Sequence, residues 1–329
     1  MIGSNRLESA FSQQLGCGIS IYSQEELERM HNASLYILQH VGMEILDDHA
    51  RSVYADGGCR IDNQKKRVFI PPHVVESCTQ KTPPHVAFKA RNPKHDFLAG
   101  ENRVSFIPFG VGLHMEDIHT REVRQATLDD LENAMRVCDA LDTLDMNLAV
   151  VAPHDVPEHL VDLYATAAGF KNSSKHFWAD GQGKEMASVQ IKMAEMVAGG
   201  TKELKERPIF SFGVCPVSPL RLPPEATEVI TLAAEYGIPV CVLSMAMAGA
   251  TSPMTLAGTV ALHNAEVLAG LVLTQLTAPG TQFYYGSSTT TFDMRYSAAT
   301  VGAPEFGLLN ASLAQMAKFY NVPSLVGGL

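Results

Sequence analysis

The sequence lacks close pairs of cysteines. Its 329 residues include six cysteines, which form neither a Cys-x-x-Cys pair nor a regular framework. This spacing argues against a disulfide-stapled scaffold and favours free, buried thiols in a reducing cytosol. The six are Cys17, Cys59, Cys78, Cys138, Cys215 and Cys241.

Positive charge is scarce as well. There are 25 Lys and Arg residues against 35 Asp and Glu residues, so the net charge is −10, and no basic block occurs. This balance argues against a nucleic-acid or anionic-membrane partner. The opening residues, MIGSNRLESAFSQQ, contain no apolar run, so we expect no signal peptide and a cytoplasmic location. Apolar residues make up 46% of the chain, enough for a sizeable core.

One long apolar stretch, from Ser244 to Gln275, organises the rest of the chain. Ser252 suits an N-cap and Pro253 the first helical position, so the sequence predicts a helix from there to about Gln275. Such a helix could span a bilayer. Polar residues in its middle, the absence of cationic flanks and a strand pattern directly after it favour instead a helix buried inside the protein.

Two of those polar residues have the spacing of a metal pair. His263 and Glu266 lie three positions apart and so on one helix face. Their place in the middle of an outer helix, far from strand ends, favours hydrogen bonding between helices. We predict no metal site.

Residues 1–102 have a mixed pattern that we interpret as a small N-terminal α+β cap. Ser23 and Glu26 form a capping box for a helix to about His40. A second short helix over 43–58 and a hairpin over 59–70 follow.

From Arg103 the pattern changes: a predicted strand is followed by a charged hairpin over 113–125 and by a capping box of Thr127 and Asp130 that opens a helix to about Leu141. After that the chain repeats one unit, in which a short apolar run is followed by a polar loop and a helix. This alternation predicts right-handed βαβ units and a parallel sheet. About seven strands are counted, one short of a TIM (β/α)8 barrel, and an open doubly wound sheet is the alternative. No dinucleotide-type glycine fingerprint follows the first strand, which weakens that alternative. We therefore predict a TIM-type barrel over 103–329, incomplete at its C-terminus. The predicted strands are 103–110, 147–153, 175–180, 209–216, 239–245, 283–288 and 322–328.

Several of these segments together resemble the trimethylamine:corrinoid methyltransferase family. The most specific is SMAMAGATSPMTLAGTVALHNAEVLAGLVL, which begins at Ser244. The others are FIPFGVG from Phe106, REVRQATLDDLENAMRVCDAL from Arg121, FYYGSSTTTFDMR from Phe283 and GAPEFGLLNASLAQMAKFYNVP from Gly302.

The resemblance implies a TIM-barrel enzyme that moves a methyl group from trimethylamine to the reduced cobalt of a corrinoid and releases dimethylamine. The corrinoid would be carried by a cognate partner protein, with no cofactor bound directly by this chain, and a homo-oligomer is expected. Such an enzyme would serve methanogenesis or other methylamine metabolism.

The family is longer than this chain, and its trimethylamine branch carries pyrrolysine, encoded by an in-frame amber codon just after this region. The resemblance therefore implies a pyrrolysine beyond Leu329 and predicts that these 329 residues alone are inactive. A partial gene is the alternative reading of the end at Leu329.

Candidate site residues follow from the C-terminal ends of the predicted strands, where barrel enzymes place their chemistry. A protonated methylamine is a small cation that suits aromatic faces and a carboxylate. Glu305 and Asp180 are the catalytic candidates, although a first-turn acid at a helix start and a capping role are the respective alternatives. Adjacent strand residues face opposite ways, so either Tyr284 or Tyr285 faces the barrel interior. The substrate-binding candidates are Trp178, Tyr285, Phe109, Ser244, Met245 and Ser287.

Two other functions stay open at the level of sequence. A relative without pyrrolysine would act on glycine betaine or another quaternary amine. A non-catalytic protein would bind an amine or the corrinoid partner and show no turnover.

Overall fold

The computed structural model describes residues 20–100 and 103–328. Within them ten α-helices are formed, with a π-helical turn at Ile37–Val41 extending the first. Helices α1 to α10 are Gln24–Tyr36, Asp48–Asp56, Pro72–Lys81, Leu128–Ala140, Val161–Asn172, Gly183–Ala198, Thr201–Glu206, Pro224–Tyr236, Leu256–Thr277 and Pro304–Phe319.

The strands are short, with at most five residues each. Strands β1 to β17 are Met43–Ile45, Arg60–Asp62, Arg67–Phe69, Val86–Phe88, Phe97–Ala99, His114–Glu116, Val123–Gln125, Met146–Leu148, His176–Asp180, Phe210–Val214, Arg221–Leu222, Val240–Ser244, Met247–Ala248, Phe283–Ser287, Thr290–Asp293, Ala298–Ala299 and Ser324–Val326.

The chain forms two compact units, and the larger contains, in its described part, residues 20–86, Gly181–Lys184 and residues 212–328. In it, strand β12 pairs in parallel with the end of β10 and with β14, and β14 pairs with β17. Helices α8, α9 and α10 connect or follow these strands. Strands β12 and β14 are buried along their whole length, as expected for parallel strands covered on both faces. The predicted parallel α/β organisation is confirmed here.

Helix α9 is the central element of the larger unit. Every residue from Thr259 to Gln275 is buried. Gly270 lets the helix approach the sheet, because a Cβ atom there would lie 2.6 Å from Val242 Cγ2. In the described part of the chain, α9 is the one helix whose length and composition would suit a membrane span, and most of it is buried inside the protein. The prediction of a buried helix is confirmed.

The predicted start of α9 is wrong. The N-cap is Thr255, whose Oγ1 accepts a hydrogen bond from Gly258 N at 3.3 Å. Ser252 Oγ instead lies 2.8 Å from Thr259 Oγ1, and Thr259 Oγ1 donates to Pro253 O at 2.7 Å. These side-chain bonds hold Ser252 and Pro253 outside the helix, whose first residue is Leu256.

The N-terminal part of the larger unit matches its predicted pattern with one exception. The capping box between Ser23 and Glu26 is present, and β2 and β3 form the predicted antiparallel hairpin. The second helix begins only at Asp48, because 43–45 form β1, which pairs with β3 and, in parallel, with β11. This pairing joins segments from both sides of residue 102, and the predicted domain boundary there stays a prediction.

The smaller unit contains Ala87–Asp180 and Glu185–Ser211 in its described part. Strands β8 and β9 pair in parallel, and β6 and β7 form the predicted charged hairpin. Helix α4 begins with the predicted capping box, in which Thr127 Oγ1 accepts from Asp130 N and the Asp130 carboxylate accepts from Thr127 N.

Two strand predictions in the smaller unit need correction. Residues 103–110 form no strand: Phe106 N donates to the Asp145 side chain at 2.9 Å, and Pro108 has no N–H for a ladder. The run 147–153 forms a strand only to Leu148 and then a single parallel bridge between Val151 and Gly112. Helix α7 was not predicted.

Of the five described cysteines, four are buried and Cys215 is exposed, and no disulfide joins any of them. Cys17 lies outside the described residues. Free thiols were predicted, although Cys215 is not buried as the prediction required.

Candidate functional site

Strand β9 divides its side chains between two faces. A Cβ atom at Gly169 of α5 would lie 2.5 Å from the ring of Phe177, so Phe177 faces that helix. Because side chains alternate along a strand, Trp178 and Asp180 share the opposite face with His176. Two of the predicted site residues are therefore on one face of one strand, two positions apart.

His176 anchors that face in the core. Its Nδ1 donates to Lys89 O at 2.7 Å, which leaves Nε2 to accept from Ser211 Oγ at 3.0 Å. Burial lowers the pKa of His176 to about 4. The imidazole is therefore neutral at pH 7 and holds the start of the strand in place.

Asp180 is the last residue of β9 and lies near a second carboxylate. Burial, together with the negative charge of Asp162, raises the pKa of Asp180 to about 6. Asp162 lies in the first turn of α5, and burial raises its pKa as well. Both side chains are half-buried. Such a pair of carboxylates attracts a small cation, and a bound cation would lower the repulsion between the two negative charges.

Gln190 of α6 ties these parts together. Its Nε2 donates to Thr166 Oγ1 at 2.9 Å and to Asp180 O at 3.1 Å. Thr166 Oγ1 in turn donates to Asp162 O at 2.7 Å. The Asp180 cluster, defined here as Asp162, Thr166, Trp178, Asp180 and Gln190, therefore brings α5, α6 and the end of β9 together. Within the described residues, Trp178 Nε1 and Gln190 Oε1 are buried and have no hydrogen-bond partner.

The three predicted residues Ser244, Tyr285 and Ser287 lie in the larger unit and point at helices. Tyr285 Oη donates to Asn264 Oδ1 of α9 at 3.1 Å, and Ser287 Oγ donates to Asn310 Oδ1 of α10 at 2.8 Å. All three are buried. Tyr284, by alternation, occupies the opposite face of β14 from Tyr285. The hydroxyl groups on the helix side thus help to pack helix on sheet, and a substrate role for the three residues stays a prediction.

Glu266 of α9 is fully buried and holds the end of β12. Its carboxylate accepts from Ser244 Oγ at 2.6 Å, Ser218 Oγ at 2.7 Å and Leu220 N at 2.8 Å. Burial raises its pKa, and these three donors offset part of that effect. The expected bond between helices is therefore wrong for Glu266, because its partners belong to a strand and a loop.

His263 makes a separate set of contacts on α9. Its Nδ1 lies 2.6 Å from Thr289 Oγ1, and its ring is 5.4 Å from that of Tyr285. Burial lowers its pKa to about 3. Over residues 20–100 and 103–328, no three His, Cys, Asp or Glu side chains are grouped to hold a metal ion.

Comparison with known proteins identifies the family. The family model described as trimethylamine methyltransferase matches residues 9–329. The chain is 44% identical over 313 residues to the trimethylamine methyltransferase MttB of Desulfitobacterium hafniense, covering 95% of this chain and 63% of that protein. The chain belongs to the trimethylamine methyltransferase family. The family resemblance seen in the sequence is thereby confirmed.

Two other relatives are less similar to this chain. The MttB of Methanosarcina thermophila is 36% identical over 97% of this chain and 67% of that protein. A Desulfitobacterium hafniense protein named glycine betaine methyltransferase is 33% identical, over 94% of this chain and 64% of that protein. The chain thus spans about 63 to 67% of the length of these relatives.

The crystal structure of the Methanosarcina barkeri monomethylamine methyltransferase has a similar fold. Its TM-score is 0.52 at 10% identity, and the match covers 91% of this chain and 65% of that one. At this identity the likeness concerns the fold alone.

The other predicted site residues of this member of the trimethylamine methyltransferase family are exposed. Phe109 is 74% exposed and Met245 is 52% exposed. Glu305 is exposed in the first turn of α10, where the positive end of the helix dipole stabilises a carboxylate. Within the smaller unit the structure groups Trp178 with Asp180 on one face of β9.

Sequence reasoning missed Asp162 and Gln190. Gln190 had a detectable signal, because it occupies a position of the apolar face of α6 that also includes Ala187, Ile191 and Ala194, all buried. A polar side chain in such a stripe needs partners and is a candidate for a buried network. Asp162 had no comparable signal, since acids are common in first helical turns.

Proposed function

We propose that the chain belongs to an enzyme that transfers a methyl group from trimethylamine to the reduced cobalt of a corrinoid, releasing dimethylamine. The observation that carries the proposal is the family match over 9–329 together with the 44% identical trimethylamine methyltransferase. The corrinoid is proposed to sit on a partner protein, so no residue of this chain is assigned to hold it. When present, it supplies a cobalt nucleophile for the methyl carbon.

The reaction breaks a C–N bond, and the bonding electron pair stays on nitrogen. A neutral amine leaves far more readily from an ammonium than an amide ion leaves from a free amine, so the nitrogen must carry a positive charge when the bond breaks. The Asp180 carboxylate and the Trp178 ring face are suited to hold such a cation through Coulomb and cation–π attraction. These residues would orient the amine and stabilise its charge.

The same geometry favours trimethylamine over glycine betaine. Burial and, to a smaller extent, the negative charge of Asp162 raise the pKa of Asp180 to about 6, so the site already disfavours added negative charge. A betaine brings a carboxylate of its own into this field, whereas trimethylammonium brings only positive charge. The lower identity to the glycine betaine methyltransferase agrees with this preference.

Several finer features belong to the proposal. We propose a TIM-type barrel for the whole protein, a pyrrolysine beyond Leu329, a homo-oligomer and a cytoplasmic location, all as the family resemblance implies. As the resemblance implies, pyrrolysine would supply an electrophilic imine carbon for the nitrogen lone pair that is free once the ammonium has lost its proton. Substrate or catalytic roles for Glu305, Phe109 and Met245, and for the strand residues facing helices, stay within the proposal.

The test uses the product of the gene read to its natural end, together with its corrinoid protein and a reductant. We expect dimethylamine from trimethylamine and no demethylation of glycine betaine. Methyl transfer from glycine betaine alone would support the quaternary-amine function instead. Amine binding without any transfer would support a non-catalytic protein. Asp180→Asn should raise KM for trimethylamine, because it removes the charge that attracts the cation.

A further inference from the structure

The side chain of Gln190 is fully buried within the Asp180 cluster. Its amide nitrogen makes two hydrogen bonds, to Thr166 Oγ1 at 2.9 Å and to the main-chain oxygen of Asp180 at 3.1 Å. Both protons of the amide are thereby used.

Hydrogen-bond chemistry determines which way this amide points. Thr166 has one hydroxyl proton, and it donates that proton to Asp162 O at 2.7 Å. Thr166 Oγ1 can therefore only accept from Gln190, and the Asp180 carbonyl oxygen can only accept as well. A flipped amide would set its oxygen against two acceptors, so the NH2 group must face them.

The amide oxygen of Gln190 consequently points away from these two acceptors and, in the described part of the chain, lacks a hydrogen-bond donor. It is buried, and no donor within residues 20–100 and 103–328 reaches it. Buried acceptors of this kind are rare in folded proteins and call for a donor from water or a ligand. The charges of the cluster bias the identity of that ligand: its two carboxylates, Asp162 and Asp180, attract a cation.

We propose that Gln190 Oε1 accepts the N–H of a protonated tertiary amine, and that this bond makes the cluster prefer amines with an N–H over quaternary ammonium ions. The inference rests on the proposed function, since it takes the Asp180 cluster as the amine site. Coulomb attraction to Asp162 and Asp180 acts on both kinds of cation, whereas only the tertiary ammonium has a proton to donate. Gln190 is thus a specificity residue, and the carboxylates supply the affinity common to both ions.

The experiment measures Kd for trimethylammonium and tetramethylammonium by calorimetry and by the fluorescence of Trp178, the only tryptophan of the chain. Gln190→Met removes the acceptor and both donors. Gln190→Glu removes the donors but keeps an acceptor. The matched control is Gln275→Met in α9, another buried glutamine, whose Nε2 donates to Thr281 O at 2.8 Å and whose Oε1 accepts from Gly280 N at 2.8 Å.

We expect Gln190→Met to weaken trimethylammonium binding about tenfold to a hundredfold, the range for a hydrogen bond to a charged group. Tetramethylammonium binding should change by less than about threefold, which also shows that the site is still folded. Gln190→Glu should keep the preference for trimethylammonium, and Gln275→Met should leave both affinities unchanged.

Equal loss of both affinities in Gln190→Met would overturn the inference, because it would show that Gln190 only holds the cluster together and does not contact the cation. If both affinities, and so their ratio, were unchanged in Gln190→Met, the inference would also be overturned, because a water molecule would then be the donor to the amide oxygen. If the full gene product still forms dimethylamine from trimethylamine, the proposed function holds after either of these results. Failure of the wild-type chain to bind either cation would overturn both.

Discussion

Asp180→Asn should make the folded chain more stable at neutral pH, because the native structure keeps a carboxylate that is poorly solvated and close to another one. The amide has nearly the same shape as the carboxyl group and carries no charge. The main-chain oxygen of Asp180 can still accept from Gln190, so the tie to α6 is retained.

The magnitude follows from the pKa of Asp180. Burial and the charge of Asp162 raise it from 3.8 to about 6, so the folded state keeps a proton that the unfolded state has lost over that window. The free energy of unfolding therefore falls as the pH rises from about 4 to about 6 and is level above it. At 1.36 kcal/mol per pKa unit, Asp180 removes about 3 kcal/mol of stability at pH 8 and almost none at pH 3. The variant should recover this amount at pH 8.

The assay is urea unfolding followed by the fluorescence of Trp178, two residues from Asp180 on the same strand. Wild type and Asp180→Asn are compared at pH 3.5 and pH 8. Asp130→Asn is the control of opposite sign in the same unit. The Arg124 guanidinium lies 2.5 Å and 2.9 Å from the Asp130 carboxylate oxygens and lowers the pKa of Asp130, so this variant should lose stability at pH 8.

Two results would refute the reasoning about Asp180. A gain of the same size at both pH values would show that shape or packing is responsible and not charge. A loss of stability at pH 8 would show that the ionised carboxylate is well solvated or paired.

Two further predictions concern helix α9, each measured as a change in the free energy of unfolding. Glu266→Ala should cost about 3–5 kcal/mol, because it leaves three buried donors without an acceptor; a loss below about 1 kcal/mol would mean that water replaces the carboxylate. Gly270→Ala should cost about 1–3 kcal/mol, since the added methyl meets Val242 at 2.6 Å. Gly328→Ala, where an added methyl meets no atom within 4 Å, is its control and should be neutral.

Local sequence patterns predicted much of the fold because their causes are local. The capping boxes at Ser23 and Thr127 depend on a side chain and a backbone N–H three residues away. The alternation of apolar runs and helices predicted the parallel pairing of β10, β12, β14 and β17. The all-round apolar character of α9 predicted its burial for the same reason, since a helix without a polar face must be covered on every side.

Where local signals competed, tertiary contacts decided. The N-cap of α9 is Thr255 and not the predicted Ser252, because side-chain hydrogen bonds of Thr259 one turn into the helix hold Ser252 and Pro253 outside it. Whether Tyr284 or Tyr285 faces helix α9 depends on the register of β14 against β12, because one residue of slip turns every side chain over.

Part of the Asp180 cluster could be predicted from the sequence. Trp178 and Asp180 could be placed together, because a strand puts residues two apart on the same face. Asp162 and Gln190 join them only because α5 and α6 pack beside β9. The residues next to Asp162 and Gln190 in the sequence contain no pattern that predicts this packing. The sequence by itself determined the order and type of most of the elements, through interactions spanning a few residues. Only the tertiary structure decided which polar groups meet, because that depends on how whole elements pack, and it is this meeting that raises the pKa of Asp180 and leaves Gln190 with an unused acceptor.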